Sequence, residues 1–417
     1  MMSKETIHSS KTTQGTSVAH GFPTEPYTYC PFMPVFAPPS VMFERGRGTE
    51  LWDSEGRRYL DFLAGIAVVS LGHSNPVIAA ALQEQSETLL HVSAFFANPQ
   101  ATRAAGAINT LLHEVTGYEG QVFMCNSGAE ANEAAIKLAR KFGGRGRHTV
   151  ISALGSFHGR TLATLAATGQ PAKHEPFVPM PEGFRHVPYG DIEAMTAAID
   201  DTVTAILIES LQGEGGVIPA SRDYLQAVRA LCDERGLLMM VDEVQTGLGR
   251  TGEWFGFQHG DVAPDVVTLA KALGNGFPVG ACWARRDIAA VFQPGDHGST
   301  YSGTALAGAV VTAVLDELRR LDAPALAQRR GAYLRQALSS VAGVHEVRGR
   351  GLLLATDLGP QRDAKVVNAE LLARGVVCNA VNASSLRMAP PLTVTEGEID
   401  EVVAVLTAVL AEGIGQL

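Results

Sequence analysis

Four stretches of this chain place reactive side chains where an apolar run meets a loop. "DVVTLAKALGNGFPVGA" sets Lys271 at the end of an apolar run and ahead of Gly, Asn and Pro. A lysine withdrawn from water loses its charge and becomes a nucleophilic amine, the usual origin of Schiff-base lysines; a solvated lysine where a strand leaves the core is the alternative. "LLMMVDEVQTG" ends a very apolar run with Asp242. A buried carboxylate there needs a cationic or hydrogen-bonding partner, either a structural one or a ligand's basic nitrogen. "QVFMCNSGAEANEAA" runs from an apolar stretch into Ser127, Gly128 and Ala129 at the opening of a helix. Unpaired helix N–H groups make an anion site suited to phosphate, although an ordinary N-cap gives the same pattern. "HTVISALGSFHGRT" offers Phe157 to stack on a ring, His158 beside it, and Arg160 to clamp a carboxylate; otherwise Phe157 is core and Arg160 is surface.

Those side chains need a scaffold that brings distant strand ends together. From about residue 75 to residue 290, helical patterns such as "NPVIAAALQEQSETLLHV" and "AEANEAAIKLARKF" alternate with short apolar runs. That alternation predicts an α/β fold, a mostly parallel central sheet covered by helices on both faces. Ligands of such sheets bind beyond the carboxyl ends of the strands. After residue 304 long helices and short strands predict a smaller α+β domain. The expected organisation is a mobile Ser/Thr-rich tail over 1–28, an N-terminal segment with a hairpin at "ELWDSEGRRYLDF" over 29–72, a large α/β domain over 73–303 and the small domain over 304–417.

Bulk properties narrow the field. Of 417 residues, 46% are hydrophobic and 18% charged, a composition that supports a large core. A net charge of -10 argues against nucleic acid or an anionic membrane as the main partner. The five cysteines, Cys30, Cys125, Cys232, Cys282 and Cys378, are scattered without a C-x-x-C pair. They predict neither disulfides nor a zinc site, and no metal is expected. The longest apolar runs fall short of the ~20 residues a membrane span needs. The N-terminus has no signal-like apolar region, so a cytoplasmic location is expected. "GLGRTG" matches the dinucleotide G-x-G-x-x-G pattern, but the next stretch, "EWFGFQHGDVAPD", has no helical period, and the pattern needs a helix there.

Taken together, a phosphate cradle, a strand-end Asp, a stacking aromatic and a nucleophilic lysine are what pyridoxal phosphate requires. The sequence also resembles the class III aminotransferases of the fold type I pyridoxal-phosphate enzymes. The stretches that carry the likeness are "LWDSEGRRYLDFLAGIAVVSLGHSNP", "NSGAEANEAAIKLAR", "GSFHGRT", "IESLQGEGG", "VDEVQTGLGRTGEWFGFQ", "LAKALGNGFPVGA", "HGSTYSG" and "LRMAPPLTVTEGEID". Within that class the chain is most similar to acetylornithine aminotransferases, especially in "FLAGIAVVSLGH" and "LLHVS".

The resemblance implies a role for each matched residue. Lys271 is the Schiff-base lysine and proton shuttle, and Asp242 pairs with the pyridine nitrogen. Gln245 bonds the ring's phenolic oxygen, Phe157 stacks on the ring, and His158 lies with it in the cofactor site. Ser127, Gly128 and Ala129 hold the phosphate. Thr300 reaches the partner subunit's phosphate, which implies a homodimer with interfacial active sites. Arg160 binds the donor's carboxylate, and Arg387 binds the α-carboxylate of glutamate or 2-oxoglutarate. Glu214 is similar to the acid that neutralises that arginine when the other substrate is bound, and Glu209 orients. The implied reaction moves the terminal amine of N2-acetylornithine to 2-oxoglutarate; the alternatives are succinyl-diaminopimelate, succinylornithine, ornithine or 4-aminobutyrate as donor. Departures are Ser210 where the family usually has proline, and Thr304–Ala305 where Asn-Pro is common. Phe36 and Ile66 stand nearest to tyrosines that hold ornithine's α-amino group in ornithine aminotransferases, and both lack the hydroxyl.

Overall fold

The computed structural model describes residues 33–37 and 39–416; the tail expected over 1–28 and Cys30 lie outside the described residues. A seven-stranded sheet carries the site. Its order is Gly120–Cys125, Gly280–Arg285, Val266–Leu269, Leu238–Asp242, Val203–Glu209, Thr149–Ala153, Phe184–Val187. All pairings are parallel except the two made by Gly280–Arg285, which opposes both neighbours. Only a short loop joins that strand to Val266–Leu269, and a parallel return needs a crossover of about a dozen residues or more. The expected mostly parallel α/β sheet is therefore observed, with one inverted strand.

The central strands are buried along their whole length, as continuous apolar runs covered on both faces must be. Helix Gly128–Gly143 covers one face, burying Ala131, Ala134, Ala135, Leu138 and Ala139 at three- and four-residue spacing. The register brings the reactive strand ends level. Asp242 pairs with Glu209 on one side and Thr268 on the other, so their side chains stand side by side at the carboxyl edge.

The N-terminal hairpin forms as expected. Glu50–Asp53 pairs with Arg58–Asp61, and Asp53 Oδ1 accepts the Glu55 and Arg57 amides in the turn. The sheet gains Phe43–Arg47 on one side and Val376–Val377 on the other, the latter parallel to Arg58–Asp61. "GVVCNAV", expected as one strand, is thus divided: Val376–Val377 joins the hairpin, and Asn379–Ala380 pairs with Ser385–Met388 in a sheet completed by Glu346–Arg350 and Leu353–Asp357. The helix expected over "NPVIAAALQEQSETLLHV" stops at Ser86, where Gln85 and Thr88 side chains bond nearby carbonyls instead. "GLGRTG" leads into a 3₁₀ turn, Gly256–Gly260, with no helix behind it. Its Arg250 is 1% exposed and donates to the carbonyls of Leu352 and Pro390 and to Ser70 Oγ. That guanidinium ties three distant chain segments together.

The inverted strand lies hard against the phosphate-type loop. A Cβ on Gly280 would stand 2.4 Å from the Ser127 carbonyl oxygen. Gly280→Ala is expected to destabilise the protein by about 1–3 kcal/mol through this overlap. Urea unfolding checks it, and an unchanged midpoint would contradict the contact.

Candidate active site

A cavity of about 410 Å³ opens over the carboxyl edge of the sheet. Ser127, Gly128, Ala129, Phe157, His158, Arg160, Glu209, Glu214, Asp242, Gln245 and Lys271 all line it. Of the residues singled out from the sequence, Arg387 lies one contact behind this wall, and Thr300 is exposed and outside it.

Asp242 is 5% exposed. Its Oδ2 accepts from Asn132 Nδ2 and His158 Nδ1, each at 2.8 Å, and its Oδ1 accepts the Val244 amide at 3.0 Å. Asn132 is itself oriented, donating also to the His158 carbonyl and accepting from Thr268 Oγ1. Three donors hold this carboxylate, and with a donor at Nδ1 the His158 ring keeps the tautomer that faces it. His158 Nε2 is buried without a partner among the described residues.

Ser127 caps helix Gly128–Gly143 through the Glu130 amide at 3.1 Å. The Gly128 and Ala129 amides have no acceptor among the described residues and stand at the positive end of the helix dipole beside the cavity. A Cβ on Gly128 would meet Val244 at 2.9 Å. Glycine is needed there for close backbone approach.

Lys271 follows strand Val266–Leu269 in a left-handed backbone conformation, φ 46°. A non-glycine residue held in that region is an outlier of the kind that clusters at functional sites. Withdrawal from water, with Arg387 adding to it, pulls its ammonium down to about 8, against the opposing pull of Glu214, Asp242 and Glu209. The nearby Asn275 accepts the Leu71 amide at 2.8 Å and donates to the Gly72 carbonyl, and Gly276 joins the cavity wall. Of Gly274, Asn275 and Gly276, the last therefore lines the cavity and Asn275 ties the loop to Leu71 and Gly72 behind it.

Arg387 is 1% exposed. Its Nη1 donates to Glu214 at 2.5 Å and to Gln245 Oε1 at 3.5 Å, and its Nε donates to Asn379; its Nη2 is buried without a partner among the described residues. Burial pushes the Glu214 carboxyl up, but Arg387 outweighs it and leaves the carboxyl below its usual range. Glu209 goes the other way: burial, then the nearby Asp242 charge, hold it well above the carboxylate range, although it accepts the Phe157 and Gly213 amides. Arg160 is exposed at the mouth, 5.5 Å from the Phe157 ring centre.

The model of the family described as Aminotransferase class-III matches residues 34–410. The chain belongs to the class III aminotransferases. Curated relatives include the acetylornithine aminotransferases of Caldanaerobacter subterraneus subsp. tengcongensis, 47% identical over 89% of this chain and 95% of that protein, and of Gloeobacter violaceus, 47% identical over 91% and 95%. Among solved structures, the ornithine aminotransferase of Toxoplasma gondii ME49 aligns with a TM-score of 0.84 at 33% identity, covering 93% of this chain and 94% of that one. The N-acetylornithine aminotransferase of Stenotrophomonas maltophilia K279a aligns with a TM-score of 0.78 at 35% identity, covering 90% and 97%. The fold is accordingly that of the type I α/β aminotransferases, and the enzyme is a pyridoxal-phosphate-dependent transaminase.

The residues of this class III aminotransferase fit pyridoxal 5'-phosphate. They offer two helix amides without an acceptor among the described residues for an anion, a fixed carboxylate for a pyridinium, an aromatic wall, and an amine of lowered basicity. Two buried polar residues, Asn132 in the cavity wall and Glu243 behind it, carry no signal in the sequence. Asn132 looked like one more polar position on a helix. Glu243 is buried among four donors, Ser210 Oγ, Thr246 Oγ1 and the Gly256 and Phe257 amides, with burial raising its carboxyl to about 7. Ser210, a departure from the family's proline, thus has a partner. The other departure also keeps a function: Thr304 caps helix Ala305–Arg320 through the Ala307 amide.

For Lys271, folding lowers the amine's pKa below its unfolded value of 10.5 to about 8. The unfolded chain therefore binds the extra proton between those values, and this group's contribution to stability grows as pH rises through that window. In cofactor-free enzyme, acylation of Lys271 followed by peptide mass mapping is expected to titrate with a midpoint near 8. A midpoint at the ordinary lysine value would contradict the burial argument.

Proposed function

We propose that this transaminase moves the terminal amine of N2-acetylornithine to 2-oxoglutarate, giving N-acetylglutamate semialdehyde and glutamate in two half-reactions, as a step of arginine biosynthesis. The observation that carries the reading is the Arg387–Glu214 pair at the cavity, with one guanidinium nitrogen unpaired among the described residues. A dicarboxylate needs two cations, and Arg160 and Arg387 offer them at separate places. Acetylornithine brings one carboxylate and a neutral amide. Glu214 then neutralises Arg387, which would otherwise be a buried unpaired charge. The names of the curated relatives support the same donor.

Bound pyridoxal phosphate supplies an aldehyde that condenses with amines and a ring that takes up the electrons of a breaking C–H bond. The chain does the rest. The Gly128 and Ala129 amides would anchor its phosphate. Asp242, held by Asn132, His158 and the Val244 amide, would face the ring nitrogen and keep a proton there. Gln245 would bond the phenolic oxygen, and Phe157 would stack on the ring. Lys271 Nζ, neutral in an appreciable fraction near pH 8, takes the proton from the substrate carbon that bears the amine and returns it at the next stage. Arg160 orients the donor's carboxylate and Arg387 the α-carboxylate of glutamate.

The active unit is a homodimer of a cytoplasmic enzyme in this reading. Phe95, Phe96 and Tyr301 are 93%, 67% and 61% exposed, and Tyr301 adjoins Thr300 and packs beside His91. Apolar rings this open suit a protein interface, and Thr300 would cross it to the other site's phosphate.

Two measurements test the proposal. A donor panel with 2-oxoglutarate should show acetylornithine outpacing ornithine at equal concentration; ornithine in the lead would transfer the assignment to the ornithine aminotransferases, whose fold this chain also matches. Lys271→Ala should lose multiple-turnover transamination and the visible absorbance of bound cofactor, and wild-type turnover in that variant would sink the role of Lys271.

A further inference from the structure

The Glu214 loop is the turn between the paired strands Leu211–Gln212 and Ile218–Pro219, and one face of the C-terminal sheet touches it twice. Arg348 pairs with Ala355, and Ala355 pairs with Arg387, in adjacent antiparallel ladders. Residues paired across a ladder share a face, so the two arginines flank one alanine on the same side. Arg387 binds the Glu214 carboxylate at 2.5 Å. Arg348 Nε donates to the Gly216 carbonyl at 2.8 Å, two residues on. The Arg348 guanidinium is braced from behind: Nη1 donates to Asp357 Oδ2 at 3.0 Å and Nη2 to Ser385 Oγ at 2.8 Å, and Ser385 Oγ also donates to Asp357.

The loop is closed by the Val217 amide on the Gly213 carbonyl, and a Cβ on Gly213 or Gly215 would overlap Gln245 or Gln212. Gly213, Gly215 and Gly216 surround Glu214, and Gly216 has φ 116°. Val217 is the opposite case, a β-branched residue at φ 56° that is fully buried against Leu353 and Ala355. A left-handed valine persists only where packing over-determines it. Glu214 thus sits in a closely packed turn, two residues before a rigid post.

We infer that Arg348 is a positioning residue of the carboxylate switch: it fixes the Gly216 carbonyl, so that the Glu214 side chain swings away from Arg387 and returns to the same place. This rests on the two-substrate reading above, in which Glu214 pairs with Arg387 for the acylated donor and leaves it for the dicarboxylate. Loosening the post weakens the return and so penalises the donor half-reaction, while the dicarboxylate half-reaction needs Glu214 away in any case.

The test is Arg348→Met in the holoenzyme, with the two half-reactions followed separately by single-turnover absorbance. kcat/KM for acetylornithine is expected to fall about tenfold, the scale of a lost hydrogen bond from a charged group, while that for glutamate changes less than about twofold. Arg348→Lys, which retains one donor toward Gly216, should recover most of the ratio. Amide hydrogen exchange over residues 213–217 in the cofactor-free protein should speed up in Arg348→Met and stay near wild type in Arg348→Lys. An equal fall in both half-reactions, or no change in exchange, overturns the inference. If Arg348→Met does not fold, Ser385→Ala removes one brace while leaving the Arg348–Asp357 pair, and the same ratio is read. Wild-type enzyme that refuses acetylornithine defeats the substrate reading instead; the ratio is then measured between glutamate and whichever monocarboxylate donor the wild type accepts.

Discussion

A negative charge at the end of a fully buried strand is the constraint around which this site is built. The Asp242 carboxylate has almost no water, so the chain must supply its hydrogen bonds. It does so from a helix through Asn132, from the loop after strand Thr149–Ala153 through His158, and from its own turn through Val244. Thr268, on the neighbouring strand, fixes Asn132. Moving any of these elements would strand the charge. The same requirement aligns the helix that presents the Gly128 and Ala129 amides, since Asn132 stands one turn further along it. One buried ion thus couples the anion cradle, the ring wall and the lysine strand.

A second electrostatic arrangement works differently. Arg387 is buried with one nitrogen unsatisfied among the described residues, and its partner Glu214 stands between glycines at the cavity. Asp242 is held by three donors, two of them buried side chains, whereas Arg387 is shared between Asn379, Gln245 and the part-exposed Glu214. In the proposed reaction, a carboxylate held by buried side chains and an arginine with a part-exposed partner match what a single cavity needs if it is to hold two unlike substrates in turn. Arg250 is a third solution: a buried guanidinium bound to carbonyls and a hydroxyl, which burial pulls down to about 9.

Much of this was legible in the sequence because strand ends announce themselves. An apolar run that stops at Asp242 or Lys271 is a local pattern, and the sheet's alternation with helices told which ends would meet. The inverted strand and the divided "GVVCNAV" segment were not legible, since pairing direction and partner are long-range choices that an apolar run does not encode. Asn132, Glu243 and Arg250 were missed for a related reason. Each is an ordinary polar residue until tertiary packing removes its water, and only then does its partner set acquire a purpose. Ser210 and Thr304 looked like losses beside a family pattern; the hydrogen bonds each makes show substitutions that kept a local job.

The hairpin sheet near the N-terminus has a consequence for how the chain comes together in time. Strand Arg58–Asp61 is completed by Val376–Val377, more than three hundred residues later. During synthesis that strand therefore emerges with an open edge and keeps it until most of the protein has left the ribosome. Contacts of such sequence separation form late and slowly, and exposed edges invite pairing with the wrong chain. The two-residue strand at 376–377 is in that sense a clasp: its arrival retires the hazard, and the segment that carries Asp61, Val68 and Ser70 into the site's surroundings is fixed only then.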